Sequence, residues 1–170
     1  MKRFISIIAV VALLAAMLCA CGEKVDTQTS GDNSAETAAA KPLADVFTEL
    51  KTKYEIADMM ELKDAASLKR FYGIEADDVA DFAGGINNSG VNQEEIVMIL
   101  AKDADAAQRV STALTNRLNS KLNENKDYNP EQYAIIQKCS VETDGNNVSL
   151  FISANAESMK TDYKAAIGAK

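Results

Sequence analysis

The first 20 residues of this 170-residue chain most constrain its fold, because their residue pattern predicts a segment that lies outside the folded domain. Lys2 and Arg3 make a short basic start, and an almost wholly apolar run of about 17 residues follows, from position 4 to position 20. A basic start, a short apolar core and a small residue before the cleavage point are typical of a secretory signal peptide. We therefore predict that residues 1–20 are removed. A retained N-terminal helix is the alternative, although the run is shorter than the roughly 20 residues that span a bilayer.

The residues around the predicted cleavage point resemble the lipobox of bacterial lipoproteins. Leu18 lies at position −3, Ala20 at −1 and Cys21 at +1. In that family the cysteine thiol receives a diacylglyceryl group, which implies a lipid anchor at Cys21 and a place on the extracytoplasmic face of the cell membrane. Two acyl chains are enough for stable anchoring. Cys19 is a poorer candidate for lipidation, because cleavage would then follow a bulky leucine.

Loss of the first 20 residues leaves 16 basic and 25 acidic side chains, a net charge of −9. Such a surface repels phosphate backbones and anionic lipid headgroups, so we expect no nucleic-acid partner. Histidine is absent, which excludes Ser-His-Asp and Cys-His catalysis and histidine-based zinc sites. We expect neither a metal nor a cofactor.

Cysteine usage predicts a domain without a disulfide. Cys19 leaves with the signal peptide and Cys21 carries the lipid, so Cys139 stands alone. A lone thiol could be reactive or bind a metal, but no second cysteine or histidine supports it. Its alternation with Ile135 and Val141 favours a small buried apolar residue on a strand.

The rest of the chain divides into a tether and one domain. Residues 21–41 are small and polar, with Val25 as the one sizeable apolar side chain, so we predict a disordered tether. Residues 42–170 are enough for a single hydrophobic core. Apolar periodicity predicts an α+β domain with element order α-α-β-β-α-β-β-α. This order implies a mostly antiparallel four-stranded sheet with helices packed on one face.

Turn and cap residues mark the predicted elements. Helices are expected to begin at Pro42, at Asp64 and at Asp103 or Asp105, and a last helix carries Met159. The four predicted strands cover 80–86, 95–101, 135–141 and 148–153. A hairpin turn over 144–147 joins the last two strands, and Gly84-Gly85 suggest a bulge or a bend in the first.

Aromatic residues are the best candidates for a partner-binding patch. Tyr128 and Tyr133 lie near a predicted proline turn, and Phe151 is expected on the outward face of the last strand. For Phe151, however, the favoured interpretation is that a helix covers this face of the strand. Glu94 and Glu95 are adjacent on a strand and point to opposite faces, so they cannot flank one glycosidic bond.

Several short motifs are similar, in order and spacing, to those of the "domain of unknown function 4358" lipoproteins. Besides the lipobox and the acidic tether, the motifs are Phe71-Tyr72-Gly73-Ile74, Glu94-Glu95-Ile96 and Tyr128-Asn129-Pro130-Glu131-Gln132-Tyr133. The resemblance covers residues 43–155 and implies a clostridial, Gram-positive surface lipoprotein without mapped catalytic residues.

Two classes of function remain open at this point. The leading hypothesis is a non-enzymatic binding or accessory module of the cell envelope, attached to the membrane by its lipid and binding an unidentified protein or envelope partner. The alternative is a histidine-free hydrolase of the cell envelope that uses carboxylates.

Overall fold

The computed structural model describes residues 41–169. The predicted signal peptide, Cys21 and nearly all of the predicted tether lie outside these residues. The helices are α1 (Leu43–Lys53), α2 (Ala65–Tyr72), α3 (Ala104–Asn125), α4 (Pro130–Ile136) and α5 (Ala156–Ile167). The strands are β1 (Met59–Glu61), β2 (Val79–Asn87), β3 (Glu95–Ala101), β4 (Val141–Asp144) and β5 (Asn147–Ile152). None of the helices described is long and apolar enough to cross a bilayer.

The α+β class is confirmed, but the sheet has five strands rather than four. All pairings are antiparallel, in the order β1-β2-β3-β5-β4. The additional strand, β1, has three residues and pairs Met59 with Asn87. Three residues are too few to show an alternating pattern. Strand β3 lies at the centre, as its apolar residues on both faces predict.

Helices cover both faces of the sheet, so the prediction of a single covered face is wrong. Glu95 of β3 bonds to Arg117 of α3, whereas Phe151, which pairs with the next residue of β3, packs edge-to-face on Tyr163 of α5. Adjacent residues of a strand point to opposite faces. Helices α1 and α5 therefore cover one face, and α3, with α2 beside it, covers the other.

The third predicted strand is present, but its predicted bounds are wrong. Ile135 belongs to α4, Cys139 lies in the turn after it, and β4 begins only at Val141. Asn129 caps this helix by accepting a hydrogen bond from the backbone N–H of Gln132, at 3.3 Å, and proline occupies the first helical position. Cys139 is nevertheless buried, as expected, and burial raises the pKa of its thiol.

Side-chain caps and one tight turn position the other elements as predicted. Asp64 accepts a hydrogen bond from the backbone N–H of Ser67 at the start of α2, and Asp103 accepts one from Ala106 at the start of α3, both at 2.8 Å. The hairpin over 144–147 is confirmed. Gly145 has a φ of +56° there, which a two-residue turn of this kind needs.

The two adjacent glycines of β2 allow close packing and do not form the predicted bulge. The register shift lies instead between Val79 and Asp81. A Cβ on Gly84 would collide with the carbonyl oxygen of Ile96 on β3. A Cβ on Gly85 would lie 3.1 Å from the ring of Phe47 on α1. The glycines thus let a strand and a helix approach β2 closely.

Candidate functional site

Two loops meet at the end of the sheet where β3 begins. Residues 88–94 join β2 to β3, and residues 126–129 join α3 to α4; we call them the loop pair. The amide of Asn129 donates a hydrogen bond to the carbonyl of Val91, at 3.3 Å. The backbone N–H of Gln93 donates another to the side-chain oxygen of Gln132, at 3.0 Å. These contacts join segments almost 40 residues apart into one surface.

The loop pair carries the two most exposed large apolar side chains of the described domain. Tyr128 is 90 % exposed and Val91 is 72 % exposed. A single exposed apolar residue is ordinary on a protein surface. Two of them on hydrogen-bonded loops, one a tyrosine with an apolar ring and a polar tip, are more typical of a contact surface.

The three aromatic residues proposed for partner binding differ in their exposure to solvent. Tyr128 is on the surface, and Tyr133 is half-buried on α4. Phe151 is wholly buried under α5, as the favoured interpretation of a covering helix predicts, so its ring cannot meet a partner. Ser149 and Ser153 suggested a solvent face because they are polar, but both are small enough to be buried there.

Polar groups beneath the loop pair connect it to the core. The ammonium group of Lys121 on α3 donates a hydrogen bond to the side chain of Gln93, at 2.7 Å. Burial lowers the pKa of Lys121. Glu94 accepts hydrogen bonds from the side chains of Asn92, at 2.8 Å, and Ser153, at 3.1 Å. The side chains of Gln93 and Glu94 are therefore held by side chains of α3 and of the chain just after β5.

Below this layer lies a buried ion pair between β3 and α3. Glu95 is wholly buried, and the guanidinium of Arg117 contacts its carboxylate at 2.8 Å. Arg117 also lies over the ring of Tyr72, 5.7 Å from its centre. Burial, together with the negative charge of Glu95, raises the pKa of Tyr72 well above its ordinary value. Glu95 is shielded from solvent, so a substrate cannot reach it in this arrangement.

A serine–lysine contact is the arrangement nearest to a histidine-free catalytic pair. The ammonium of Lys160 lies 2.6 Å from the hydroxyl of Ser140, 2.9 Å from Glu157 and 3.3 Å from Glu142. Burial lowers the pKa of Lys160, but its hydrogen bonds to the two carboxylates outweigh this effect and raise the pKa. A lysine that serves as a base must lose its proton near neutral pH. The cluster therefore fits an ionic link between α5 and β4.

A groove of about 470 Å³ runs between α1 and α5, away from the loop pair. Val46, Leu50 and Ala166 are among its lining residues. At one end Lys53 and Asp162 pair with each other at 2.6 Å, so these two charges already satisfy one another. Among residues 41–169, no three Cys, Asp or Glu side chains are grouped so that they could hold a metal ion.

The family comparison covers the loop pair and the network beneath it. Residues 52–153 match the model described as "Domain of unknown function (DUF4358)". No curated protein and no solved structure matches the chain. The family match spans more than half of the 170 residues, from the end of α1 to the residue after β5, and it confirms the family membership that the sequence motifs indicated. The chain therefore belongs to the DUF4358 family.

Proposed function

We propose that this DUF4358 protein is a lipid-anchored, extracytoplasmic binding module that holds a protein partner through the loop pair and catalyses no reaction. The observation that carries the proposal is the pair of exposed apolar side chains, Tyr128 and Val91, on loops that are tied to each other and to the core. The lipobox-like residues ending at Cys21 support the anchor.

The support beneath the loop pair favours tight binding, because it lowers the entropy lost on association. Ordering a flexible interface side chain costs about 0.5–1.5 kcal/mol. Here the backbone of Val91 and Gln93 and the side chain of Asn129, the residue after Tyr128, are already held by long-range hydrogen bonds. Tyrosine has few rotatable bonds, and a tyrosine at the centre of an interface often contributes about 2 kcal/mol or more.

Site-specific photo-crosslinking in the native cells tests the proposal. p-Benzoylphenylalanine is placed in position 128 and, as a control, in position 105. Asp105 is exposed in the first turn of α3, and Lys126 follows the last turn. The intervening helix separates them by about 30 Å at 1.5 Å per residue. We expect a discrete protein adduct from position 128 alone. The same adducts from both positions, or none, would contradict a partner at the loop pair.

A further inference from the structure

Exposed carboxylates flank Tyr128, the most exposed apolar residue of the loop pair, in the sequence. Asp127 immediately precedes Tyr128, and Glu131 lies in the first turn of α4, three residues beyond it. Both are exposed. Lys126 is the single basic residue between positions 122 and 137. The edge of this surface is therefore acidic.

These two carboxylates belong to the exposed acids of the described domain that form no ion pair, as do Asp45, Glu55 and Asp58. Glu49 pairs with Lys41 at 2.7 Å, and Glu75 pairs with Lys69 at 2.9 Å. Within residues 41–169, by contrast, the ion pairs include neither Asp127 nor Glu131. Their charges remain available to a binding partner.

We infer that the partner is a protein surface with an apolar recess rimmed by lysine or arginine side chains. The inference rests on the proposed function and names the chemistry of its partner. An apolar recess is needed because Tyr128 and Val91 gain most when water is removed from them. Cations are needed because the carboxylates beside these residues lose part of their hydration on contact, and only opposite charges compensate for that loss.

The same arrangement disfavours an anionic surface as the occupant. Lipid headgroups and phosphate polymers would meet Asp127 and Glu131 at the contact, and the chain after residue 20 has a net charge of −9. Like charges brought together at an interface lower affinity. Charge and apolar exposure thus point to one kind of partner, a basic protein face.

Apolar and charged groups should affect different steps of binding. Charges at the rim of an interface steer the encounter, so they change the association rate and its salt dependence. A side chain in the desolvated centre mainly sets the dissociation rate. Tyr128 belongs to the second class here, and Asp127 and Glu131 belong to the first.

Charge-reversal variants separate these effects. The protein captured by p-benzoylphenylalanine in place of Tyr128 is identified, purified and measured against the chain from residue 22 onward by surface plasmon resonance. The test variant is Asp127→Lys/Glu131→Lys. The matched control is Asp77→Lys/Asp105→Lys, which changes the net charge equally at the other end of α3.

At 50 mM NaCl we expect the association rate of the test variant to fall about tenfold and that of the control to fall less than about twofold. The difference should shrink at 300 mM NaCl, because added salt shortens the range of the charges. Tyr128→Ala should raise the dissociation rate about tenfold or more.

The outcomes distinguish this inference from the proposed function. Binding that requires Tyr128 but does not change with salt or with charge reversal at positions 127 and 131 would overturn the inference of a basic partner. The proposal of a binding module would then still stand. Binding of the chain to phosphatidylglycerol vesicles, abolished by Tyr128→Ala, would also overturn the basic partner. A crosslink yield at position 128 no higher than at position 105 would overturn both proposals.

Discussion

Removal of the positive charge of Arg117 should cost the domain far more stability than removal of an exposed arginine. The closest contact to Glu95 is 2.8 Å, where the gross attraction is roughly 6 kcal/mol at an effective dielectric of 20. Desolvation of both ions offsets much of this attraction. Arg117→Met removes the attraction but leaves a carboxylate that is wholly buried. Loss of one partner of a buried pair typically costs about 3–5 kcal/mol. Because the Arg117 side chain is 19 % exposed and water can replace part of it, we expect about 3 kcal/mol.

The double variant Glu95→Met/Arg117→Met sharpens the prediction. It removes both charges and fills similar volumes with apolar groups, a change that is often neutral or stabilising. We expect its free energy of unfolding to lie within about 1 kcal/mol of the parent value. The loss of stability in the double variant should therefore be much smaller than the sum of the losses in the two single variants.

Urea unfolding followed by circular dichroism measures these free energies on the chain from residue 22 onward. Arg109→Met is the matched control, because Arg109 pairs with Asp78 at 2.6 Å but its side chain is 59 % exposed. Exposed pairs contribute about 0–1 kcal/mol. Equal losses from Arg117→Met and Arg109→Met, or additive losses in the double variant, would refute the reasoning.

Two further predictions concern the packing of glycines and the loss of stability at acidic pH. Gly84→Ala should cost more than about 3 kcal/mol, because its Cβ would collide with the carbonyl of Ile96 on the central strand. Gly73→Ala should cost only about 1 kcal/mol, since the space around Gly73 is open and its φ of +70° is the sole obstacle; urea unfolding compares the two. Burial would raise the pKa of Glu142, but its hydrogen bonds from a serine and a lysine outweigh that effect and lower it. A lowered pKa in the folded state adds stability that is present above the ordinary value of 4.5 and is lost as pH falls through the folded-state pKa. Unfolding free energies measured from pH 6 to pH 3 should therefore fall less steeply for Glu142→Gln than for the parent, and parallel curves would contradict the assignment.

Local signals in the sequence were enough to place most elements of the fold. Asp64 and Asp103 predicted helix starts because their side chains satisfy backbone N–H groups in the first turn. Prediction failed where one spacing fits two structures. Ile135 and Cys139 are four residues apart, which places them on one side of either a helix or a strand, and the cap at Asn129 makes the residues after it helical.

The candidate site was predictable only in part. Tyr128 was identifiable as an aromatic residue in a polar loop. Val91 carried a weaker signal, as the one sizeable apolar residue in the polar segment 87–95. The hydrogen bond between Gln93 and Gln132 joins residues 39 positions apart, and no local pattern encodes such a contact. Helices on both faces of the sheet were not predicted, because the alternating serines Ser149 and Ser153 are typical of a strand face exposed to solvent, yet both are buried.

The lipid anchor is the central claim, because the proposed binding module needs it to present the loop pair to a partner on the extracytoplasmic side. Intact-mass and N-terminal peptide mass spectrometry of the protein from a membrane fraction of its native or a Gram-positive host tests it most directly. The account predicts a mature chain that begins at Cys21 and carries a diacylglyceryl group on the thiol. A chain that retains residue 1 and has an unmodified Cys21 would contradict it.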